Sequence, residues 1–279
     1  MDKQLFNADA LNSSNNIIDT NYVPVTQNGD IWHLGDSILV CGDSRDRETY
    51  TAFKKDADLI LTDHPYGVNY KNAAGKIYND DVKELDNLLT SVFINCYNAS
   101  TDRASIYAFG AGNTMEILLR SLREARFNNR YILSCVKNKA TFGFANYKIK
   151  AEFCVFGWKK GHSHNFYGDK KQTTVIEFKS PNKALYHPTV KPLELIKRFA
   201  INSTKAGDVI LDPFSGSGTT LIAADMLGCS CNAIELNERY CDVTVGRWLA
   251  LHPAQRATLY RDGSFAGTSE HFGIEPIVC

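Results

Sequence analysis

The chain has 279 residues, is 44% hydrophobic and 22% charged, and carries no net charge, which allows one large α/β domain with a buried core. No apolar run reaches bilayer length, and the start, MDKQLFNADALNSSNN, is polar and lacks a signal core, so the chain is expected in the cytoplasm with no membrane partner. Its eight cysteines include no C-x-x-C pair, which argues against a zinc site or a disulfide framework and leaves no metal expected. The neutrality hides an imbalance: residues 137–205 carry 14 Lys and Arg against four acids. Such a segment presents either a polyanion-facing surface or merely solvated lysines.

Residues 1–29 are rich in Asn, Ser and Asp without a sustained period, and read as a loose N-terminal arm or a covering segment. The first firm element is a strand at 38–41, ended by Gly42-Asp43-Ser44 and followed by a short helix at 49–54. The apolar run at 57–62 has strand length and is halted by Asp63-His64-Pro65-Tyr66-Gly67. A helix at 82–97, a strand at 104–109 and a helix at 114–125 continue the alternation. Unbroken apolar runs between helices predict a parallel sheet buried on both faces.

From residue 131 the period changes to two, and the aromatic-rich stretches at 131–136 and 151–158 predict an antiparallel hairpin inside the basic segment. Alternation resumes with a helix at 192–204, a strand at 208–211, a loop at 212–218, a helix to 227, a strand at 231–234 and a helix from 238. No element is visible after 261. One domain over 30–260 is expected, with a basic hairpin region at 137–190 and a tail at 261–279.

The stretch Val209 to Thr220 runs a strand into Asp212-Pro213-Phe214-Ser215-Gly216-Ser217-Gly218 and then a helix. Glycines there let a ligand approach the backbone at the carboxyl end of a sheet. Glu235 ends the next strand at the spacing where an acid meets ribose hydroxyls, so an adenosine-bearing cofactor is expected. The loop lacks the Gly-Lys-Ser/Thr of a phosphate loop and the G-x-G-x-x-G of a dinucleotide fold. By itself Gly-Ser-Gly also marks an ordinary tight turn. Asp63-His64-Pro65-Tyr66 combines a carboxylate, a carbonyl fixed ahead of proline and an aromatic ring, a set able to hold a planar amino-bearing base, although it equally suits a strand-ending turn. His187-Pro188-Thr189-Val190-Lys191-Pro192 reads locally as a helix entry.

Together and in this order, Asp63-His64-Pro65-Tyr66-Gly67, His187-Pro188-Thr189-Val190-Lys191-Pro192 and Asp212 to Thr220 resemble the amino-directed DNA methyltransferases of the β arrangement. The resemblance spans roughly residues 31–250. It is nearest to the adenine methylases of phages and prophages, whose hairpin is matched by Phe156-Gly157-Trp158-Lys159-Lys160-Gly161. It implies a permuted Rossmann-like S-adenosylmethionine-dependent methyltransferase fold, α/β with a mainly parallel sheet and a basic β-hairpin region, in which the catalytic motif precedes the cofactor loop.

The resemblance also implies roles. Asp212, Pro213, Phe214, Ser215, Gly216, Ser217, Gly218, Thr219 and Thr220 would line S-adenosylmethionine, with Glu235, Leu236 and Asn237 on its ribose side and Asp43 near its adenine. His187, Thr189 and Lys191 would close over its methionine end. Asp63 and the carbonyl of His64 would accept hydrogen bonds from the target amino group, with Pro65 fixing the backbone and Tyr66 stacking on the base. The partner is double-stranded DNA with a flipped target base, and the basic residues Lys137, Lys139, Lys159, Lys160, Lys170 and Lys171 would meet its phosphates; a homodimer is left open.

One departure stands out: the family carries a second proline where this chain has His64. Because that position acts through its carbonyl, an active adenine methyltransferase is the favoured reading. A catalytically silent DNA- or cofactor-binding module, a cytosine amino-methyltransferase and another nucleotide-binding enzyme are the alternatives.

Overall fold

The computed structural model describes residues 22–66, 71–72, 75–76, 82–140, 146–179 and 191–277. Its strands are β1 (Ile31–Leu34), β2 (Ser37–Cys41), β3 (Ala57–Thr62), β4 (Lys71–Asn72), β5 (Gly75–Lys76), β6 (Ser100–Gly110), β7 (Phe127–Lys137), β8 (Ala151–Lys159), β9 (Val175–Phe178), β10 (Val209–Asp212), β11 (Ser230–Glu235), β12 (Thr258–Arg261) and β13 (Ser264–Thr268). Its α-helices are α1 (Val82–Asn98), α2 (Met115–Glu124), α3 (Leu193–Ser203), α4 (Thr219–Met226), α5 (Glu238–Leu251) and α6 (Ser269–Phe272).

Eleven strands form one sheet in the order β13-β12-β1-β2-β11-β10-β3-β6-β8-β7-β9. The centre, β2-β11-β10-β3-β6, is parallel throughout, and β8 pairs antiparallel with both β6 and β7. The apolar runs read from the sequence are these central strands, and each is packed on both sides. Along β3, Leu59 and Leu61 face a core shared with α3, α4 and α5, while Ile60 faces a second core built by α1 and α2. Tyr107 and Phe109 of β6 likewise join the first core, and Ile106 and Ala108 the second.

The chain leaves β3 through α1 for its neighbour β6, and leaves β10 through α4 for β11 on the opposite side. The connections thus diverge between β3 and β10, opening a crevice at their carboxyl ends, the place where open α/β sheets bind ligands. This switch point brings the loop after Thr62 beside the loop after Asp212, since Ile210 pairs with Leu59 and Leu211 with Ile60.

Several elements differ from the sequence reading. The helix expected at 49–54 is a 3-10 turn, Arg47–Ala52, with no side chain capping its start; the buried Tyr50 fixes it by donating its hydroxyl to the Ser44 carbonyl (3.0 Å). Strand β9 lies within the basic segment, parallel to β7, and its period of two is too short to stand out. Past residue 261, where no element was expected, β13 closes a hairpin on β12 through Asp262 and Gly263, both at positive φ, and extends the main sheet.

The end of the N-terminal arm is docked rather than loose. The fully buried Asp242 of α5 accepts hydrogen bonds from the Tyr22 hydroxyl (2.7 Å), from the Val25 and Thr26 amides and from the Thr26 hydroxyl. Thr26 in turn accepts from the Trp32 indole (2.9 Å). Asp242→Ala is expected to leave these donors unpaired and to cost about 3 kcal/mol, read as a lowered denaturation midpoint with unchanged slope.

Candidate active site

The loop after β10 is shaped by its own backbone and by α5. Gly218 sits at φ +80°, and a Cβ there would lie 2.5 Å from Thr244 Cγ2. Gly216 also has positive φ, +53°. The Thr244 hydroxyl donates to the Gly216 carbonyl (3.3 Å), and the buried Arg247 guanidinium donates to the Ser217 carbonyl and to the hydroxyls of Ser217 and Thr219. Asp212 accepts from the Phe214 amide (3.1 Å) and from the Thr220 side chain. Pro213 and Ser215 are buried and Phe214 half-buried.

Glu235 clamps the same loop. Its carboxylate accepts from the Gly216 amide (2.7 Å) on one side and the Asn237 amide (2.8 Å) on the other. Asn237 caps α5 by accepting from the Arg239 amide (3.0 Å), and Leu236 is exposed. Burial pushes both Glu235 and Asp212 up to about 7. Asp43 behaves differently: burial opposes its charge, but Arg45, bonded to both carboxylate oxygens, holds it below the ordinary range. Its oxygens are therefore engaged by Arg45.

Asp63, Tyr66 and Lys191 form the second half of the site. The Tyr66 hydroxyl donates to Asp63 Oδ1 (2.5 Å), and Lys191 Nζ donates to Asp63 Oδ2 (2.7 Å) and to Tyr66 Oη (2.8 Å). Lys191 Nζ also pairs with Glu152 Oε2 at 3.1 Å, and Glu152 Oε1 pairs with Lys137. Burial disfavours the Lys191 charge, yet Asp63, Tyr66 and Glu152 raise its pKa well above the usual value. Burial likewise opposes the Glu152 charge, and Lys191 foremost brings its pKa below normal.

His64 is buried, its ring edge-on to Tyr66, Phe93 and Phe214, with centroids 5.6, 6.3 and 6.4 Å away. Its Nδ1 lies 2.7 Å from the Pro65 carbonyl, which can only accept, so Nδ1 carries a hydrogen. The contact with Phe214 joins the loop after β3 to the loop after β10.

Several sequence expectations change here. Lys191, expected over a methionine tail, is bonded to Asp63 and Tyr66. Lys159, expected to meet phosphate, is 4% exposed, donates to the Ser100 carbonyl and lies 4.4 Å from the Tyr97 ring centroid. Lys137 is paired with Glu152, while Lys139, Lys160, Lys170 and Lys171 are exposed. His187 and Thr189 lie outside the described residues. Glu152 was missed; its only signal is an acid inside an aromatic strand of an otherwise basic segment. Among the described residues there is no cluster of three metal-ligating side chains, and no helix is long and apolar enough to cross a membrane.

Fold and site define an α/β enzyme with a glycine loop and an acid for a nucleoside-bearing ligand, beside a carboxylate, tyrosine and lysine pocket at the switch point. Residues 57–246 match the family model described as DNA methylase. The type II methyltransferase M2.MboI of Moraxella bovis is 27% identical over 228 residues, covering 70% of this chain and 82% of that protein. The DNA adenine methyltransferase YhdJ of Escherichia coli (strain K12) is 25% identical, covering 68% of this chain and 75% of that one. The crystal structure of an M1.HpyAVI–SAM complex superposes with a TM-score of 0.58 at 22% identity, over 74% of this chain and 95% of that one. The chain belongs to the DNA methylase family and is a DNA methyltransferase.

Glu235 and Asp212 bind protons up to about pH 7 in the folded chain, whereas unfolded carboxyls release them near pH 4. The folded state therefore holds more protons between those values, and these two groups make stability fall as pH rises through that window. Glu235→Gln is expected to flatten this slope in denaturant titrations of ligand-free protein at stepped pH, and an unchanged slope would contradict the assignment.

Proposed function

We propose that the chain transfers a methyl group from S-adenosylmethionine to the exocyclic N6 of an adenine flipped out of double-stranded DNA. The observation that carries this reading is the meeting of the Asp63–Tyr66 pair with the Phe214–Gly218 loop across the β3/β10 crevice. The residues suit that cofactor: Glu235 keeps unused lone pairs beside its two amide bonds, enough to accept ribose hydroxyls. Glu235 and Asp212 are acids pushed up by burial, and a cationic ligand would favour their charged forms. S-adenosylmethionine supplies the electrophilic methyl group when bound.

This chain's residues do the positioning. Asp63 accepts one amino hydrogen of the base, the carbonyl of His64 accepts the other, and Tyr66 stacks on the ring. The nitrogen lone pair is thereby aimed at the methyl group in a site with little water, where orientation accounts for much of the rate. As the nitrogen becomes cationic, the Asp63 carboxylate stabilises the charge and can take the proton. A stacked base cannot enter this pocket, which requires flipping. An acid at position 63, where cytosine-directed relatives resemble Ser-Pro-Pro-Tyr, favours adenine. With its side chain packed against Phe93 and Phe214, His64 leaves its carbonyl the role a proline carbonyl would have. The reaction would take place in the cytoplasm of a bacterium or phage-infected host.

Incubation with labelled S-adenosylmethionine and unmethylated DNA, followed by digestion to nucleosides, is expected to yield N6-methyladenine. N4-methylcytosine would reassign the base, and cofactor binding without transfer would leave only a silent module. Asp63→Ala is expected to reduce transfer by about 10³-fold, with cofactor affinity in calorimetry nearly unchanged. His64→Pro should retain or raise activity.

Exposed Lys139, Lys160, Lys170 and Lys171 are the phosphate-binding side chains this reading retains. Replacing all four by Ala should weaken DNA binding and flatten the plot of log affinity against log salt by roughly 0.9 for each phosphate no longer neutralised. The methylated base should stay the same.

A further inference from the structure

We infer that Glu152, a hairpin residue outside every matched motif, positions the base-holding pair Asp63 and Tyr66 by fixing the Lys191 ammonium between that pair and itself. The inference rests on the reading of Asp63 and Tyr66 as the groups that receive the target base. An ammonium has three hydrogens to donate, and Lys191 has three acceptors: Asp63 Oδ2 at 2.7 Å, Tyr66 Oη at 2.8 Å and Glu152 Oε2 at 3.1 Å. Two of them belong to the loop after β3 and therefore move with the pocket. Among the described hydrogen-bonding partners, Glu152 is the one that ties the ammonium to another element.

Glu152 is itself anchored. It lies on β8, opposite Cys135 of β7 in the strand register, and its second oxygen is paired with Lys137 at the end of β7. The result is an alternating row, Lys137, Glu152, Lys191, Asp63, whose charges sum to zero. Lys191 is 8% exposed, and a buried charge is tolerated only when paired.

The groups facing Lys191 come from every wall. Asp63 and Tyr66 approach from the loop after β3, the Phe109 ring from β6 with its centroid 5.0 Å from Nζ, and Glu152 from β8. Cys154 of β8 and Cys135 of β7 are the further titratable neighbours of Lys191; behind them Lys137 of β7 pairs with Glu152, and Arg198 of α3 acts on Cys135. With Glu152 present, the ammonium divides its charge between two carboxylates, and Asp63 keeps acceptor capacity for an incoming amino group. Without it, Lys191 has Asp63 as its one carboxylate partner, so it both competes with the base and loses the support that raises its pKa.

The test compares wild type, Glu152→Gln and Glu152→Asp in single-turnover methyl transfer over a range of alkaline pH, with cofactor affinity from calorimetry and DNA affinity measured alongside. For Glu152→Gln the rate is expected to fall about 10²-fold while both affinities stay within about twofold. A falling alkaline limb, absent from wild type, should appear in its pH profile. Glu152→Asp, which restores the charge, should recover part of the rate and remove that limb. A wild-type rate and profile in Glu152→Gln would overturn the inference and leave the function standing. So would a loss that follows cofactor affinity or thermal stability and is not relieved by Asp, since that marks a merely structural residue. Wild-type protein that methylates no DNA would refute the base-holding reading and this role together.

Discussion

Strands β3 and β10 come from distant parts of the chain, yet they lie side by side in parallel register, with Leu211 opposite Ile60. The site depends on that pairing. It sets the carboxylate and tyrosine that follow β3 against the glycine loop that follows β10, with His64 and Phe214 in contact across the junction. The pairing is itself a consequence of apolar runs that must be covered on both faces, which places helices above and below and leaves the crevice at the carboxyl ends of the strands for ligands.

That edge concentrates charge. Asp63, Asp212 and Glu235 lie at the ends of neighbouring strands, and two solutions to their proximity appear. Glu235 and Asp212 are held by backbone amides and pushed towards neutrality by burial, which suits groups awaiting a cationic, hydroxyl-bearing ligand. Asp63 instead receives the Lys191 ammonium, which draws its other support from Glu152. The hairpin β7–β8 thus reaches the Asp63 pocket from within the sheet, as well as presenting exposed lysines to solvent.

Much of this was legible beforehand because the central strands are continuous apolar runs, and a buried parallel sheet admits little else. The loop with Gly216 and Gly218 could be read because positive φ at both positions favours glycine. What escaped has physical reasons. Strand β13 begins with exposed residues and draws its order from pairing with β12, so local composition does not reveal it. Lysines look alike in sequence, but Lys159 runs under the Tyr97 ring to the Ser100 carbonyl while Lys160, next to it, is in solvent. Glu152 carries no motif, and its importance comes from two lysines that only the fold brings to it.

The central claim is that target base and cofactor meet at the carboxyl ends of β3 and β10. A crystal structure of the protein with duplex DNA and a non-reactive analogue of S-adenosylmethionine tests it most directly. The account predicts an extrahelical adenine stacked on Tyr66, its amino group within hydrogen-bond reach of Asp63 and the His64 carbonyl, and the cofactor ribose against Glu235. A cofactor bound away from Glu235, or a base that never approaches Asp63, would contradict it.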